Sequence, residues 1–410
     1  MDVRLRDRGP VEPIDSSAFW TGTWAEAVER NGTHAAADAE LLDLGPLTIR
    51  VDDEPWTLAV NDGTLEVRPG ADGAPVAELD RQAFAELVVE ERTGLGLVIA
   101  GRVGGEPAAQ ELLCAWDPVL RSALDGRHLH RPGGVEVRGP DGSPLDLDQR
   151  FRLDQRDDAA RFLAEAGFLL LQDVFTDAEL DAVDAELAAA VAAARPDDGA
   201  SWWATTASGE RYPCRILDLF DRSPTLQRLF ADPRFLAIGQ ILDDGHTPGD
   251  PFGEHFSELT AEGLSKRVDS VEGLACLPWH KDCERGGHSL FCSGLTIGIC
   301  LTPVDEDHGG LDVMAGSHRA HVARRQVDRG VDLPVARLRA ERGDVTVHLS
   351  CALHRSTHPR REERRVIYTG FALPPRPGDH QAGADQARLL RDRAAIADRQ
   401  DAAISALGPG

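Results

Sequence analysis

Lysine is almost missing from this chain. Its lysines and arginines total 44, yet only Lys266 and Lys281 are lysine. The skew reads as a codon preference, although Lys281 falls inside the motif with the most chemical promise. Long apolar runs are missing too: none approaches the roughly 20 residues that a bilayer-spanning helix needs, so no membrane span is expected. The opening "MDVRLRDRGPVEPIDSS" lacks the apolar core of a secretory leader, which makes a cytoplasmic location the default. Positive charge is outweighed as well. A formal net charge of −25 repels phosphate backbones and argues against a nucleic-acid partner. The 7 cysteines form an odd set without a single CxxC pair, which excludes a disulfide scaffold or a zinc ribbon and reads as reduced thiols. There is no internal repeat and no long low-complexity tract. Oligomeric state leaves no mark on the sequence.

What is present is an ordinary globular composition, 42% hydrophobic and 28% charged, over 410 residues, enough for two or three domains. The Gly-, Pro- and charge-rich stretch "LHRPGGVEVRGPDGSPLDLDQRFRLDQR" divides the chain. The expected units are residues 1–130, a linker over 131–156, a larger domain over 157–376, and a helical tail over 377–410. In the first unit, "PLTIRVDDEPWTLAVNDGTLEVRPG" alternates with period two and breaks at Asp-Asp and Asn-Asp-Gly, as a β-meander does. "DRQAFAELVVEERTG" has helical spacing and stops at Gly94, "LGLVIAGRVGG" reads as another strand, and "AAQELLCAWDPVLRSALDG" as a closing helix. This is a small α+β domain. The larger unit opens with a short helix, Gly167 and the apolar strand "FLLLQDVF". Thr176 and Glu179 then form a capping box for an Ala-rich helix that Pro196 ends. From about 270 to 373 short strands separated by Gly, Pro and Asp turns suggest a β-sandwich or barrel.

The chemistry gathers around "CLPWHKDCERGGHSL", residues 276–290. In an extended segment residues two apart face the same side, so His280 and Asp282 could grip one ion together. A third ligand has to come from elsewhere, and "RGDVTVHLSCALHRSTHPRREERRVIYTGF" offers His348, His354 and His358. His354 stands where an apolar strand runs out, a position that can face the mouth of a barrel. Two histidines and one carboxylate leave three positions open on iron, enough for a bidentate cosubstrate and O2. Arg364 and Arg365 start the next strand, where an arginine could hold the far carboxylate of a dicarboxylate cosubstrate. His348 reads as a core or supporting histidine, His318 in "AGSHR" as a turn support, and His288 and His358 as solvated or substrate-facing. Trp202 and Trp203 in "SWWATT" read as core or lid residues, and pocket-lining residues are expected from about 197–270, including "GEHFSEL".

The stretches "FLAEAGFLLLQDVFTDAELDAV", "WHKD", "HGGLDVMAGSHR" and "GDVTVHLSCALHRS" with the following Arg-Arg pair resemble, in order and approximate spacing, the phytanoyl-CoA dioxygenase family of Fe(II)- and 2-oxoglutarate-dependent oxygenases. The resemblance covers about 157–375. It implies a double-stranded β-helix (jelly roll) with flanking helices, iron held by His280, Asp282 and His354, and a 2-oxoglutarate C5 carboxylate held by Arg364 with Ser356. Arg365 is the competing arginine. Lys281 stands where many members have Gln, and a bulky residue of the following strand is replaced near Gly298. Related halogenases have Gly or Ala at the carboxylate position, so Asp282 favours hydroxylation or another oxidative step. The stretch over about 45–126 is similar to the sterol carrier protein type 2 fold, which implies an apolar tunnel and, beside an oxygenase, an apolar small-molecule substrate such as a lipid, acyl or terpenoid-like compound. Two other readings stand beside this one: a catalytically silent lipid-binding protein, and a cupin-like metal enzyme that does not use 2-oxoglutarate.

Overall fold

The computed structural model describes residues 11–196, 198–242, 245–249, 259–273, 275–283 and 294–373. The expected tail helix over 377–410, most of "GEHFSEL", His288 and Cys292 lie outside these residues. No helix among the described residues is long and apolar enough to cross a membrane.

The meander expected in the first unit is present as β1 (Leu47–Val51), β2 (Glu54–Asn61) and β3 (Thr64–Pro69), antiparallel throughout. A fourth strand, β4 (Val76–Leu79), returns parallel to β1 and gives the order β3-β2-β1-β4. Helices Trp24–Leu41 and Pro107–Asp125 pack against each other beside the sheet. Trp20, Trp24, Phe84 and Trp116 are almost wholly buried in this core, with the Trp20 ring in contact with both Trp24 and Phe84. Burying each such ring stabilises the fold by about 2–3 kcal/mol. Two expectations need correction here. The helix over residues 80–93 ends at Val88, and "LGLVIAGRVGG" opens as a helix, Gly94–Ile99, instead of a strand. The Thr93 hydroxyl caps that helix by accepting from the Gly96 amide at 2.9 Å, while the Gly94 amide donates to the buried Asp117 carboxylate at 2.8 Å. A short apolar run does not distinguish strand from buried helix by period, and here the cap decides.

The expected linker is irregular but packed. The Gly133 amide donates to the Asp332 carboxylate at 2.6 Å. Phe151 is buried in the core of the larger unit and bridges to Leu171.

In the larger unit Gly167 ends the helix Arg156–Ala166 at φ +82° and turns the chain into β5 (Phe168–Leu171). The Thr176–Glu179 capping box starts the helix Asp177–Ala193. Then follow β6 (Ser201–Thr206), β7 (Arg211–Ile216), β8 (Thr247–Pro248), β9 (Glu262–Lys266), β10 (Ser270–Glu272), β11 (Leu295–Cys300), β12 (Leu311–Met314), β13 (Val335–Leu338), β14 (Val345–Leu349), β15 (His354–Ser356) and β16 (Arg364–Ala372). The large sheet runs β10-β6-β7-β9-β16-β11-β14-β5 with β8 beside β16, and a small sheet runs β13-β12-β15. All these pairs are antiparallel. Two sheets of this kind, flanked by helices, make the jelly roll.

Strand period sets what each face carries. Ile297, Val347, Ile367 and Phe371 pack into one core with Leu180, Val183 and Leu187 of the helix Asp177–Ala193. The alternate positions, Thr296, His348, Arg364 and Tyr368, therefore line the inside of the roll; the first three are buried although polar, and Tyr368 is partly buried.

Candidate metal and cosubstrate site

His280 and His354 come from segments far apart in sequence that pair directly. The His280 amide donates to the His354 carbonyl at 2.9 Å, and the reverse bond is 3.0 Å. The two imidazole rings lie 4.2 Å apart, centroid to centroid. Asp282, two residues along from His280, places Oδ1 3.5 Å from the His280 Nε2 and 3.8 Å from the His354 Nε2. One ligand atom from each of His280, Asp282 and His354 falls within 4.8 Å of the others, and all three residues are buried.

The surroundings fix the donor atoms. Each Nδ1 faces a carbonyl, Pro278 at 2.8 Å for His280 and Ala352 at 2.9 Å for His354. A carbonyl can only accept, so each Nδ1 carries the proton and each Nε2 keeps its lone pair. Burial, with His280 and His348 close by, holds His354 well below the ordinary histidine range, in the neutral form a metal needs. The Asp282 Oδ2 accepts from the Thr296 hydroxyl at 2.9 Å and lies 3.3 Å from the His348 Nε2, which leaves Oδ1 toward the histidines. His348, inside β14, thus supports the carboxylate. The donor set of two imidazoles and one carboxylate fits Fe(II) with positions to spare.

The cavity these residues line continues to Ser356, and its wall includes Arg215, Leu264, Leu277 and Tyr368. Beyond Ser356 stand two cations. Arg364 is fully buried, donating to the Gly310 carbonyl at 3.3 Å, the Ser356 hydroxyl at 3.5 Å and the Tyr368 hydroxyl at 3.2 Å, and its Nε has no partner. Lys266, its register partner on β9, is also fully buried and donates to the Ser356 hydroxyl at 2.9 Å and to the Thr357 carbonyl. Burial pushes the Lys266 ammonium down to about 8, with the nearby Arg364 charge adding to the effect and Cys276 opposing it. Among the described residues, no acidic side chain pairs with either cation. Buried charge left uncompensated costs several kcal/mol, so this end of the cavity is built to receive an anion.

Of the two candidate arginines, Arg364 is the one on the Ser356 side. Arg365 points the other way, and its guanidinium pairs with Asp184 of the helix Asp177–Ala193 at 2.7 Å. The remaining sequence candidates lie elsewhere. His318 is buried against Gly167, and its Nε2 sits 3.0 Å from the Ala164 carbonyl. His358 places Nδ1 3.0 Å from the Cys276 thiol. Trp202 is buried under the Arg215 guanidinium, whose carbon lies 5.2 Å from the ring centre. Lys281, between His280 and Asp282 in the sequence, is fully buried. Near Gly298 the missing bulk is taken up by Tyr368 of the neighbouring strand: a Cβ at Gly298 would stand 3.3 Å from that ring and 2.6 Å from the Thr346 hydroxyl.

Lys266, Thr296, Tyr368 and Arg215 were not singled out by the sequence.

The fold and this site define a non-haem iron oxygenase that uses 2-oxoglutarate. Residues 163–366 match the family model for phytanoyl-CoA dioxygenase (PhyH), and over that span the chain belongs to this family. No curated protein matches the chain. Similar solved structures include AviO1 from Streptomyces viridochromogenes Tue57, 21% identical, with 53% of this chain and 95% of that one covered and a TM-score of 0.42. Others are the non-heme alpha ketoglutarate dependent epimerase SnoN from nogalamycin biosynthesis (18% identical, 57% and 90% covered, TM-score 0.40) and EctD from S. alaskensis with bound Fe (19% identical, 52% and 75% covered, TM-score 0.42).

Proposed function

We propose that His280, Asp282 and His354 hold the iron, that Arg364, Ser356 and Lys266 hold the far carboxylate of 2-oxoglutarate, and that the enzyme hydroxylates or otherwise oxidises an apolar small molecule. The observation that carries this reading is the pair of buried cations without an acid, across the same cavity from two imidazoles and a carboxylate. Residues 1–130 then form a separate carrier-like α+β unit, joined through 131–156 to the oxygenase unit over 157–376.

Iron with 2-oxoglutarate and O2 supplies oxidising power for an unactivated C–H bond, as 2-oxoglutarate is converted to succinate and CO2. The chain supplies geometry. The Pro278 and Ala352 carbonyls hold both imidazoles in the ligating tautomer, and Thr296 with His348 orients the Asp282 carboxylate. The forked Arg364 guanidinium and the Lys266 ammonium fix the direction in which the cosubstrate enters. Leu264, Ala275, Leu277 and Leu311 give the cavity an apolar wall that favours an apolar substrate and excludes water.

The test is an anaerobic titration of the apo protein with Fe(II), then 2-oxoglutarate, followed by the visible charge-transfer band of the chelate. The band is expected in the wild type, weakened in Asp282→Ala, and shifted to much higher 2-oxoglutarate in Arg364→Ala. Absence of any band in the wild type ends the oxygenase reading.

A further inference from the structure

A second cavity lies on the outer face of the small sheet and holds a concentration of arginine unusual for so acidic a chain. It encloses about 350 Å³, within the range of small-molecule sites and far more than a single ion needs. Arg337, Arg339, Arg355 and Arg360 line it, together with Asp312 and Glu306.

The sheet register explains how it is built. On β12, Leu311 faces the inner cavity, so Asp312 faces outward, directly opposite Arg337 on β13 and Arg355 on β15. The wholly buried Asp312 carboxylate meets the Arg355 Nε at 3.0 Å and the Arg337 Nε at 3.4 Å. Arg355 is braced from its other side by the Trp279 ring, 4.9 Å from the guanidinium carbon. Glu306 is likewise shared by two arginines, Arg360 at 3.3 Å and Arg339 at 3.9 Å. Four guanidinium groups therefore meet two carboxylates. Asp305, the third acid of the wall, accepts from the backbone amides of Asp307 and His308 and sits 2.8 Å from the His308 ring nitrogen, inside its own turn. Each arginine spends one nitrogen on its carboxylate, and among the described residues its other guanidinium nitrogens meet no protein acceptor.

We propose that this cavity binds a phosphorylated small molecule, with the phosphate oxygens held by Arg337, Arg339, Arg355 and Arg360. Planar N–H forks presented from two strands and a loop suit a tetrahedral dianion better than a lone carboxylate. Asp312 and Glu306 keep the forks in place before the ligand arrives, which lowers the ordering cost of binding. The site is distinct from the inner one but shares its wall: Gly310 and Thr357 line the outer cavity, while their carbonyls accept from Arg364 and Lys266 inside. The assignment does not depend on the identity of the metal or of the oxidised substrate.

The probe is pyrophosphate, titrated by calorimetry into the whole chain in the presence of saturating 2-oxoglutarate, with succinate as a carboxylate control. Saturable binding is expected, with succinate at least tenfold weaker. The double variant Arg337→Gln with Arg339→Gln should bind pyrophosphate at least tenfold more weakly, and Arg360→Gln, a loop substitution outside both sheets, should weaken it several-fold even if the double variant fails to fold. No saturation by about 1 mM pyrophosphate, equal binding of succinate, or unchanged affinity in Arg360→Gln overturns the proposal.

Discussion

Replacing Lys266 with methionine should move stability and cosubstrate affinity in opposite directions. Burial lowers the ammonium from its ordinary 10.5 to about 8. At about 1.4 kcal/mol per pH unit, holding it charged in the fold costs about 3 kcal/mol at neutral pH. The sign follows from proton affinity: the unfolded chain keeps this proton more tightly, so the penalty is full below pH 8 and fades as pH rises from 8 to 10.5. Methionine fills similar space without the charge. It forfeits the donors to Ser356 and Thr357, a loss of about 1 kcal/mol, which leaves a net gain of about 2 kcal/mol and a melting temperature raised by about 4–8 °C. Binding runs the other way, because a charge-assisted hydrogen bond to a carboxylate contributes about 1.5–3 kcal/mol, or about 10- to 150-fold in the 2-oxoglutarate dissociation constant. Thermal melting without ligand and the anaerobic charge-transfer titration measure the two effects. Wild-type affinity should also decline above about pH 8, as Lys266 loses its charge, and the variant should be flat there. A lower melting temperature combined with unchanged 2-oxoglutarate affinity would refute the argument that Lys266 is a strained cation awaiting an anion.

Thr296→Val removes the hydroxyl that holds the Asp282 Oδ2 and should weaken Fe(II) binding about 10- to 100-fold, read by competition with a metal-sensitive dye. Arg365→Ala breaks only the partly buried pair with Asp184, so it should cost about 1 kcal/mol and leave 2-oxoglutarate affinity unchanged, whereas Arg364→Ala should lower that affinity at least tenfold. Gly167→Ala puts a Cβ at φ +82° and 2.4 Å from the His318 ring, and should destabilise the fold by about 2–4 kcal/mol in denaturant melts.

The site residues differed in how plainly the sequence announced them. His280 and Asp282 announce themselves because the two residues share one extended segment, and His354 because an apolar strand visibly runs out there. Choosing between Arg364 and Arg365 needed the register, since a one-residue slip turns every side chain to the other face and the loop before β16 leaves that slip open. Lys266 and Thr296 became visible only when β9 and β11 came to lie on either side of β16. No local pattern encodes such neighbours. The helix Gly94–Ile99 escaped for a different reason: six apolar or glycine residues carry too little period, and the deciding contact, from Gly94 to Asp117, is long-range. The parallel return of β4 depends on the same kind of distant pairing.

Both lysines of this chain are sealed inside it. Amine-directed chemistry, which on most proteins decorates the surface, is thereby turned inward. An acylating reagent, an acetyl donor or a lysine cross-linker finds no side-chain amine on the folded exterior, and its rate of reaction with Lys266 becomes a clock for how often the barrel opens. Filling the cosubstrate pocket should slow that clock.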